Sequence, residues 1–281
     1  MNIIDTHIHL WKYIPEQYSW ITEEMKVLKQ DFLYSQYKQQ VKSSGGVLVQ
    51  ARQSGEETEF LCGIANQYND VIAVVGWMDY QEDEPSQMIA RIKEQPQYAK
   101  LTGFRHLVQD EPDLRFMLQE KFRSYLELLA KENYTYDVLI RSHQMKQFLE
   151  YLHTTETNKQ PVLVLDHIAK PVIGGPKELF NKWQQDIREI AKHENVNCKI
   201  SGLLTEASTG STPIFTPYLE VVLEAFGVDR LVLGSDWPVC TLRGSGTQSL
   251  SVSVDFLQAN LVQSDLEKIL NLNAIRIYGK N

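Results

Sequence analysis

Residues 161–167 read Pro-Val-Leu-Val-Leu-Asp-His, a continuous apolar run that ends abruptly in two polar residues. A strand with one wet face alternates apolar with polar side chains. This run does not alternate, so it reads as a strand buried on both faces, as in a parallel sheet covered by helices. Seven further stretches carry the same signature: 3–9, 46–51, 71–78, 101–107, 136–141, 196–201 and 230–235. The segments between them suit helices. Residues 56–68 place Phe60, Leu61, Ile64 and Ala65 at helical spacing, and 114–133 form a long amphipathic run. Residues 178–194 set Leu179, Trp183, Ile187 and Ile190 on one side, and 217–226 end at Gly227, a candidate helix-terminating glycine. Each strand-plus-helix interval has the length of one βαβ unit. Eight such units predict an α/β protein: a (β/α)₈ barrel forming a single domain over residues 1–281. A doubly wound open sheet is the rival, but it places a glycine-rich phosphate loop after an early strand. Here Ser43-Ser44-Gly45-Gly46 precedes its strand instead.

Composition narrows the function. The 281 residues carry 28 Lys and Arg against 36 Asp and Glu, a net charge of −8. No basic groove is present, which argues against a nucleic-acid partner. Cys62, Cys198 and Cys240 match neither a disulfide framework nor a CxxC metal motif, and read as buried thiols. The start of the sequence lacks a basic segment followed by a long apolar one, and no apolar run approaches the roughly 18 residues of a membrane span. These features predict a soluble, cytoplasmic chain with no membrane partner. A homodimer is left open.

The chemistry collects at strand ends. Asp5-Thr6-His7-Ile8-His9 closes the first strand, and two histidines two residues apart share one face, with Cβ atoms roughly 7 Å apart. Neutral imidazoles so placed can hold one ion or one substrate atom. Asp166-His167 closes strand six, and Gly234-Ser235-Asp236-Trp237-Pro238 closes strand eight. In a barrel these ends form one ring at the mouth, where active sites sit. Two irregular stretches, 10–32 after strand one and 203–215 after strand seven, fall at that same face and are positioned to cover a substrate.

Taken with Gly103-Phe104-Arg105-His106, Lys199-Ile-Ser-Gly-Leu203 and Asp166-His-Ile-Ala-Lys-Pro171, these motifs resemble the amidohydrolase superfamily over the whole chain. They resemble in particular its lactonase branch, which is similar to the fuconolactonases and rhamnonolactonases. The resemblance implies a hydrolase that opens the ring of a sugar-acid lactone in carbohydrate catabolism. It assigns His7, His9, His167 and Asp236 to catalysis, to a metal, or to both, with Asp236 as general base. Arg105, His106, Arg141, Trp11 and Trp237 are then the candidates for substrate binding. The chain also departs from the binuclear members. Strand four offers Arg105 and His106 in place of a carboxylated lysine or glutamate, and strand five offers Arg141, with His143 beyond it. One divalent ion, zinc or manganese, or no ion at all, is the expectation. Without metal, the histidines would donate to the developing oxyanion.

Two other classes compete. A metal-dependent decarboxylase of the same superfamily shares the paired histidines and the strand-eight aspartate. A non-enzymatic metabolite-binding barrel would not need Asp236 as a base. Lys199, inside the seventh strand, needs a carboxylate partner if it points inward. Trp20 joins Trp11 and Trp237 near the predicted mouth.

Overall fold

A computed structural model describes residues 1–81, 84–207 and 214–279. Among them eight strands lie in sequence order, each parallel to the next: β1 (Ile4–Ile8), β2 (Gly45–Val49), β3 (Val71–Gly76), β4 (Leu101–His106), β5 (Thr135–Val138), β6 (Leu163–Leu165), β7 (Val196–Ile200) and β8 (Leu231–Leu233). Helices α1 (Tyr34–Gln40), α2 (Gly55–Gln67), α3 (Pro85–Glu94), α4 (Glu120–Lys131), α5 (Met145–Thr154), α6 (Lys177–Ile190), α7 (Leu203–Glu206) and α8 (Thr216–Phe226) follow their strands, and α9 (Gly246–Asn260), α10 (Gln263–Glu267) and α11 (Asn273–Tyr278) complete the chain. The strands thus follow the sequence reading to within a few residues at each end.

The first and last strands meet. Thr6 Oγ1 donates to Leu233 O at 2.8 Å, Asp236 N to His7 O at 3.0 Å, and His9 N to Trp237 O at 2.7 Å. These bonds bring the two edges of the sheet together, so the outer rows of N–H and C=O groups find partners. The result is the (β/α)₈ barrel.

Side-chain alternation sorts the strands into two cores. Leu48, Val74, Phe104, Tyr136, Leu163 and Ile200 point outward and join the large cluster shared with the helices. Val47, Val49, Ala73, Val75, Val164 and Val232 form a separate, smaller cluster inside the barrel. The last helix stops the barrel from below: Ala274, Ile277 and Tyr278 of α11 belong to that inner cluster. Asn273 anchors α11 by donating to Val228 O and Leu231 O, both at 2.8 Å, at the start of β8.

Three sequence expectations change in detail. The run 114–133 is not one helix: Gln119 takes an extended backbone (ψ 136°), which separates a short 3₁₀ turn at Phe116–Leu118 from α4. Leu179 is 47% exposed although Trp183, Ile187 and Ile190 on the same helix are buried. The stretch 10–32 is not a free loop. Trp11 and Phe32 pair their backbones at its two ends, and a 3₁₀ segment, Glu23–Leu28, lies between. Gly227 does end α8, at φ 65°, where a side chain would be strained. Within the stretch 203–215, residues 208–213 lie outside the described residues. No helix among the described residues is long and apolar enough to cross a membrane.

Candidate active site

The site begins with how β8 is pressed against β1. A Cβ on Gly234 would stand 2.6 Å from that of His7, so only glycine lets the strands approach this closely. Asp5 then clamps the junction from the outer face. Its Oδ1 accepts from Ser235 N at 2.8 Å and from His7 N at 3.1 Å, and its Oδ2 accepts from Tyr37 Oη at 3.0 Å. Burial pushes the Asp5 pKa up to about 6, with the hydrogen bonds from Ser235, His7 and Tyr37 pulling the other way. Beyond Ser235 the chain turns through Asp236 at φ 59°, a left-handed conformation that aspartate tolerates better than most residues. The turn swings the carboxylate over His7 of β1 and His9 just beyond it.

His9 is oriented by a carbonyl. Its Nδ1 lies 2.8 Å from Val49 O. A carbonyl only accepts, so Nδ1 carries the proton and Nε2 presents its lone pair. That Nε2 stands 3.1 Å from His7 Nε2 and 3.6 Å from Asp236 Oδ1. His7 Nε2 is 3.9 Å from the same Asp236 oxygen.

His167 arrives by a different route. Residues 167–170 take φ values of 52°, 49°, 60° and 47°, a left-handed turn made without glycine. Each such residue costs roughly 1–2 kcal/mol, and strain of this kind persists where the surroundings impose it. Here Trp183 Nε1 of α6 donates to Ile168 O at 2.8 Å, and Lys170 N closes the turn onto His167 O at 2.8 Å. Gly202 leaves room for the imidazole, since a Cβ there would lie 2.7 Å from His167 Nδ1. Ser201 Oγ sits 2.8 Å from that nitrogen. The ring centroid ends 4.5 Å from that of His7.

Beneath these groups lies a buried ionic stack. Tyr278 Oη donates to Asp137 Oδ1 at 3.0 Å, and Lys199 Nζ lies 2.7 Å from Asp137 Oδ2, 2.9 Å from Asp166 Oδ1 and 3.1 Å from His7 Nδ1. Arg105 Nη1 donates to Asp166 Oδ2 at 2.9 Å and faces His7 Nε2 at 3.1 Å, while Nη2 donates to Gln50 O. Two cations thus share two carboxylates. Burial raises the Asp166 pKa, but Lys199, His7 and Arg105 outweigh it and hold that carboxyl well below the usual range. Asp137 is the weaker acid: burial lifts it to about 6, with Lys199 opposing and Asp166 adding to the rise. Burial works against the Lys199 charge as well, yet Asp137 and Asp166 keep its pKa above the ordinary value.

The imidazoles are neutral at neutral pH. Burial pushes His7 well below its ordinary value, lowers His9, and brings His167 down to about 4. Asp236 stays ionised. Burial raises its pKa, but the proximity of His167 and His9 brings it below the usual carboxylate value.

Over this cluster opens a cavity of about 400 Å³, lined by His9, His167, Asp236, Arg105, Trp20, Lys170, Glu206, Asp110 and Arg141 among others. A larger groove, about 620 Å³, lies between α2 and α3, but none of the residues that converge on the barrel mouth lines it.

The structure brings together His7, His9, His167, Asp236 and Arg105, and separates the rest. Trp11 and Trp237 are fully buried and do not line the cavity. They pack edge-on against Phe32 on either side, at 5.2 Å, which corrects their expected role against substrate. His106 is corrected likewise: it stacks on Phe116 at 4.8 Å, accepts from Trp77 Nε1 at 3.3 Å, and meets Glu111 at 2.6 Å. Arg105 reaches the cavity, but its terminal nitrogens are engaged inward, and only Nε has no partner. Arg141 stands on the rim, about half exposed, 3.3 Å from Asp110. His143 is exposed and outside the lining. Among the described residues, two donor groups compatible with a metal ion emerge: His7, His9 and Asp236, and His7, Asp166 and His167. His167 therefore groups with Asp166 rather than with the pair of His9 and Asp236.

Sequence reading missed Asp137, Tyr278, Ser201, Lys170 and Glu206. Asp137 left one signal. It and Lys199 are opposite charges in otherwise buried strands, and such residues have to find each other.

Comparison with known proteins identifies the family. The chain is 32% identical to an L-fucono-1,5-lactonase of Burkholderia multivorans over 98% of this chain and 95% of that protein. It is 29% identical to an L-fucono-1,5-lactonase of Burkholderia ambifaria, over 86% and 82%. The structure of an amidohydrolase from Burkholderia multivorans with bound zinc superposes with a TM-score of 0.88 at 31% identity, covering 99% of both chains. The amidohydrolase family profile matches residues 4–280, and this chain is a member of the amidohydrolase family.

Proposed function

We propose that this protein hydrolyses the ring ester of a neutral sugar-acid lactone, with L-fucono-1,5-lactone and related aldonolactones as the first substrates to try. The observation that carries the reading is the meeting of His9, His167 and Asp236 at the foot of one cavity at the strand ends. The names of the relatives supply the substrate class. Asp236 takes a proton from water as the water oxygen bonds to the lactone carbonyl carbon. His167, fixed by Ser201, donates to the oxyanion that forms. As the bond between that carbon and the ring oxygen breaks, the proton held by Asp236 passes to the ring oxygen. An alkoxide leaves more readily than an amide nitrogen, so one base and a few donors suffice.

The donor set fits one divalent ion, zinc or manganese. The His9 Nε2 lone pair is fixed by the bond at Nδ1 to a carbonyl, an arrangement common behind metal-ligating histidines, and the neighbouring His7 and Asp236 complete a group whose donor atoms all lie within 4.8 Å of one another. The low proton affinity of Asp236 makes it a weak base by itself. A metal ion held by His7, His9 and Asp236 would supply what is missing by lowering the pKa of water toward about 7.

The cellular setting we infer is sugar-acid breakdown in the cytoplasm. Cys62, Cys198 and Cys240 are all buried, in keeping with thiols of a reducing compartment.

The test is a pH-indicator assay over a panel of aldonolactones, run on purified protein, on protein stripped with chelator, and on stripped protein given Zn²⁺ or Mn²⁺. Acid release that falls on stripping and returns with metal supports the reading. No acid release from any lactone in any of these states sinks it.

A further inference from the structure

The cavity rim is charged but internally paired. Lys170, at the end of the left-handed turn, lines the same cavity as His167, and Glu206 of α7, also in the lining, meets its ammonium at 3.5 Å. Both side chains are largely buried, 17% and 23% exposed. Arg141 faces Asp110 at 3.3 Å, and Arg105 is held by Asp166 at 2.9 Å. Among the described residues lining the cavity, each of these three cations has a carboxylate partner, and Asp236 adds a further negative charge. A neutral polyol lactone meets no net field that would repel it. The ring-opened product differs: once its carboxylic acid ionises, it carries a negative charge into a cavity whose cations are already taken.

We infer that Glu206 is a specificity-determining residue that keeps Lys170 from binding anions, so that the site prefers the neutral lactone to its own carboxylate product. Specificity of this kind is a difference of two affinities, obtained by disfavouring the wrong ligand. The pair also sets which lactones are accepted. Rings bearing a free carboxylate should be poor substrates, because no unpaired cation waits for them. The inference rests on the lactonase reading for the identity of the anion.

The experiment measures the Kd of L-fuconate by calorimetry and the KM of L-fucono-1,5-lactone for the wild type, Glu206→Gln, and the double variant Lys170→Met with Glu206→Gln. Thermal melts check that each folds. In Glu206→Gln the ratio of the acid Kd to the lactone KM should fall by about fivefold, the scale of a partly exposed charge contact. The double variant should restore the wild-type ratio. A ratio within twofold of wild type in Glu206→Gln overturns the proposal, and so does a gain that survives loss of Lys170. Failure of the function reading looks different: the wild type opens no lactone. The fuconate Kd alone then decides the proposal, which stands if Glu206→Gln tightens it by a similar factor and the double variant reverses the gain.

Discussion

Lys199 and Lys170 both face carboxylates near the barrel mouth, yet they live under different physics. Lys199 is fully buried between Asp137 and Asp166, at 2.7 and 2.9 Å, with Tyr278 closing the far side of Asp137. Lys170 retains some exposure and has Glu206 at 3.5 Å. Without water, Lys199 cannot leave its partners, because Asp137 would be stranded in the barrel and Asp166 would be left with Arg105 alone. Lys170 can part from Glu206 into solvent at small cost. The same residue type thus builds a fixed floor under His7 and an adjustable rim around the cavity.

Removing the floor should give the largest effect. Lys199→Met leaves two carboxylates facing each other in the dry interior. A loss of about 3–5 kcal/mol of unfolding free energy is expected, the cost of breaking a buried ion pair from one side. Urea unfolding measures it, and a loss under about 1 kcal/mol would show that water reaches the stack. Next comes Asp236→Asn, which touches the rim side. It should leave stability nearly intact and cut kcat by about 10²–10⁴, the range of a lost general base. Steady-state kinetics beside a thermal melt separates the two. Equal damage to both would mean that Asp236 belongs to the floor.

The two carboxylates of the floor should also part from each other with pH. Asp137 has a pKa of about 6 in the folded chain, against an ordinary 3.8. A carboxyl whose folded pKa is raised contributes stability that is full below the unfolded value and is lost as pH rises through the folded one. Between pH 4 and 7 the wild type should therefore lose on the order of 3 kcal/mol that Asp137→Asn does not lose. Asp166→Asn should behave in the opposite sense, because Lys199, His7 and Arg105 stabilise its charge. That variant should be damaged most near neutrality. Parallel pH–stability curves for the two variants would refute the assignment of Asp137 as the weaker acid.

The division between floor and rim also explains what sequence could and could not reveal. Strands such as 161–167 are legible because burial on both faces leaves an unbroken apolar run, and His7, His9, His167 and Asp236 stand out because they end such runs. Trp11 and Trp237 misled because a tryptophan near a strand end has the same spelling whether it faces substrate or, as here, packs against Phe32. His106 misled for a similar reason, since β4 fixes where it sits but only Phe116 and Glu111, from the following loop, decide that it stays out of the cavity. Asp137, Lys199 and Tyr278 were hard to join because they lie far apart in the chain, and no local pattern links a C-terminal tyrosine to a mid-barrel aspartate.

Two smaller effects sharpen the contrast on the rim itself. Ser201→Ala removes the hydroxyl beside His167 Nδ1 while the left-handed turn and Gly202 still confine the ring. One ordinary hydrogen bond, about 1 kcal/mol, is at stake, so kcat should fall by about fivefold with KM little changed. Arg141→Ala should do less still. Its guanidinium is about half exposed and meets Asp110 at 3.3 Å, a surface pair of the kind worth roughly 0–1 kcal/mol. Unfolding free energy should stay within about 1 kcal/mol of wild type, and any kinetic change should appear in KM and fade with added salt, since an exposed charge is screened. A drop in kcat that persists at high salt would place Arg141 among the groups that touch the reacting atoms, and the boundary between floor and rim would then have to be drawn one strand further out.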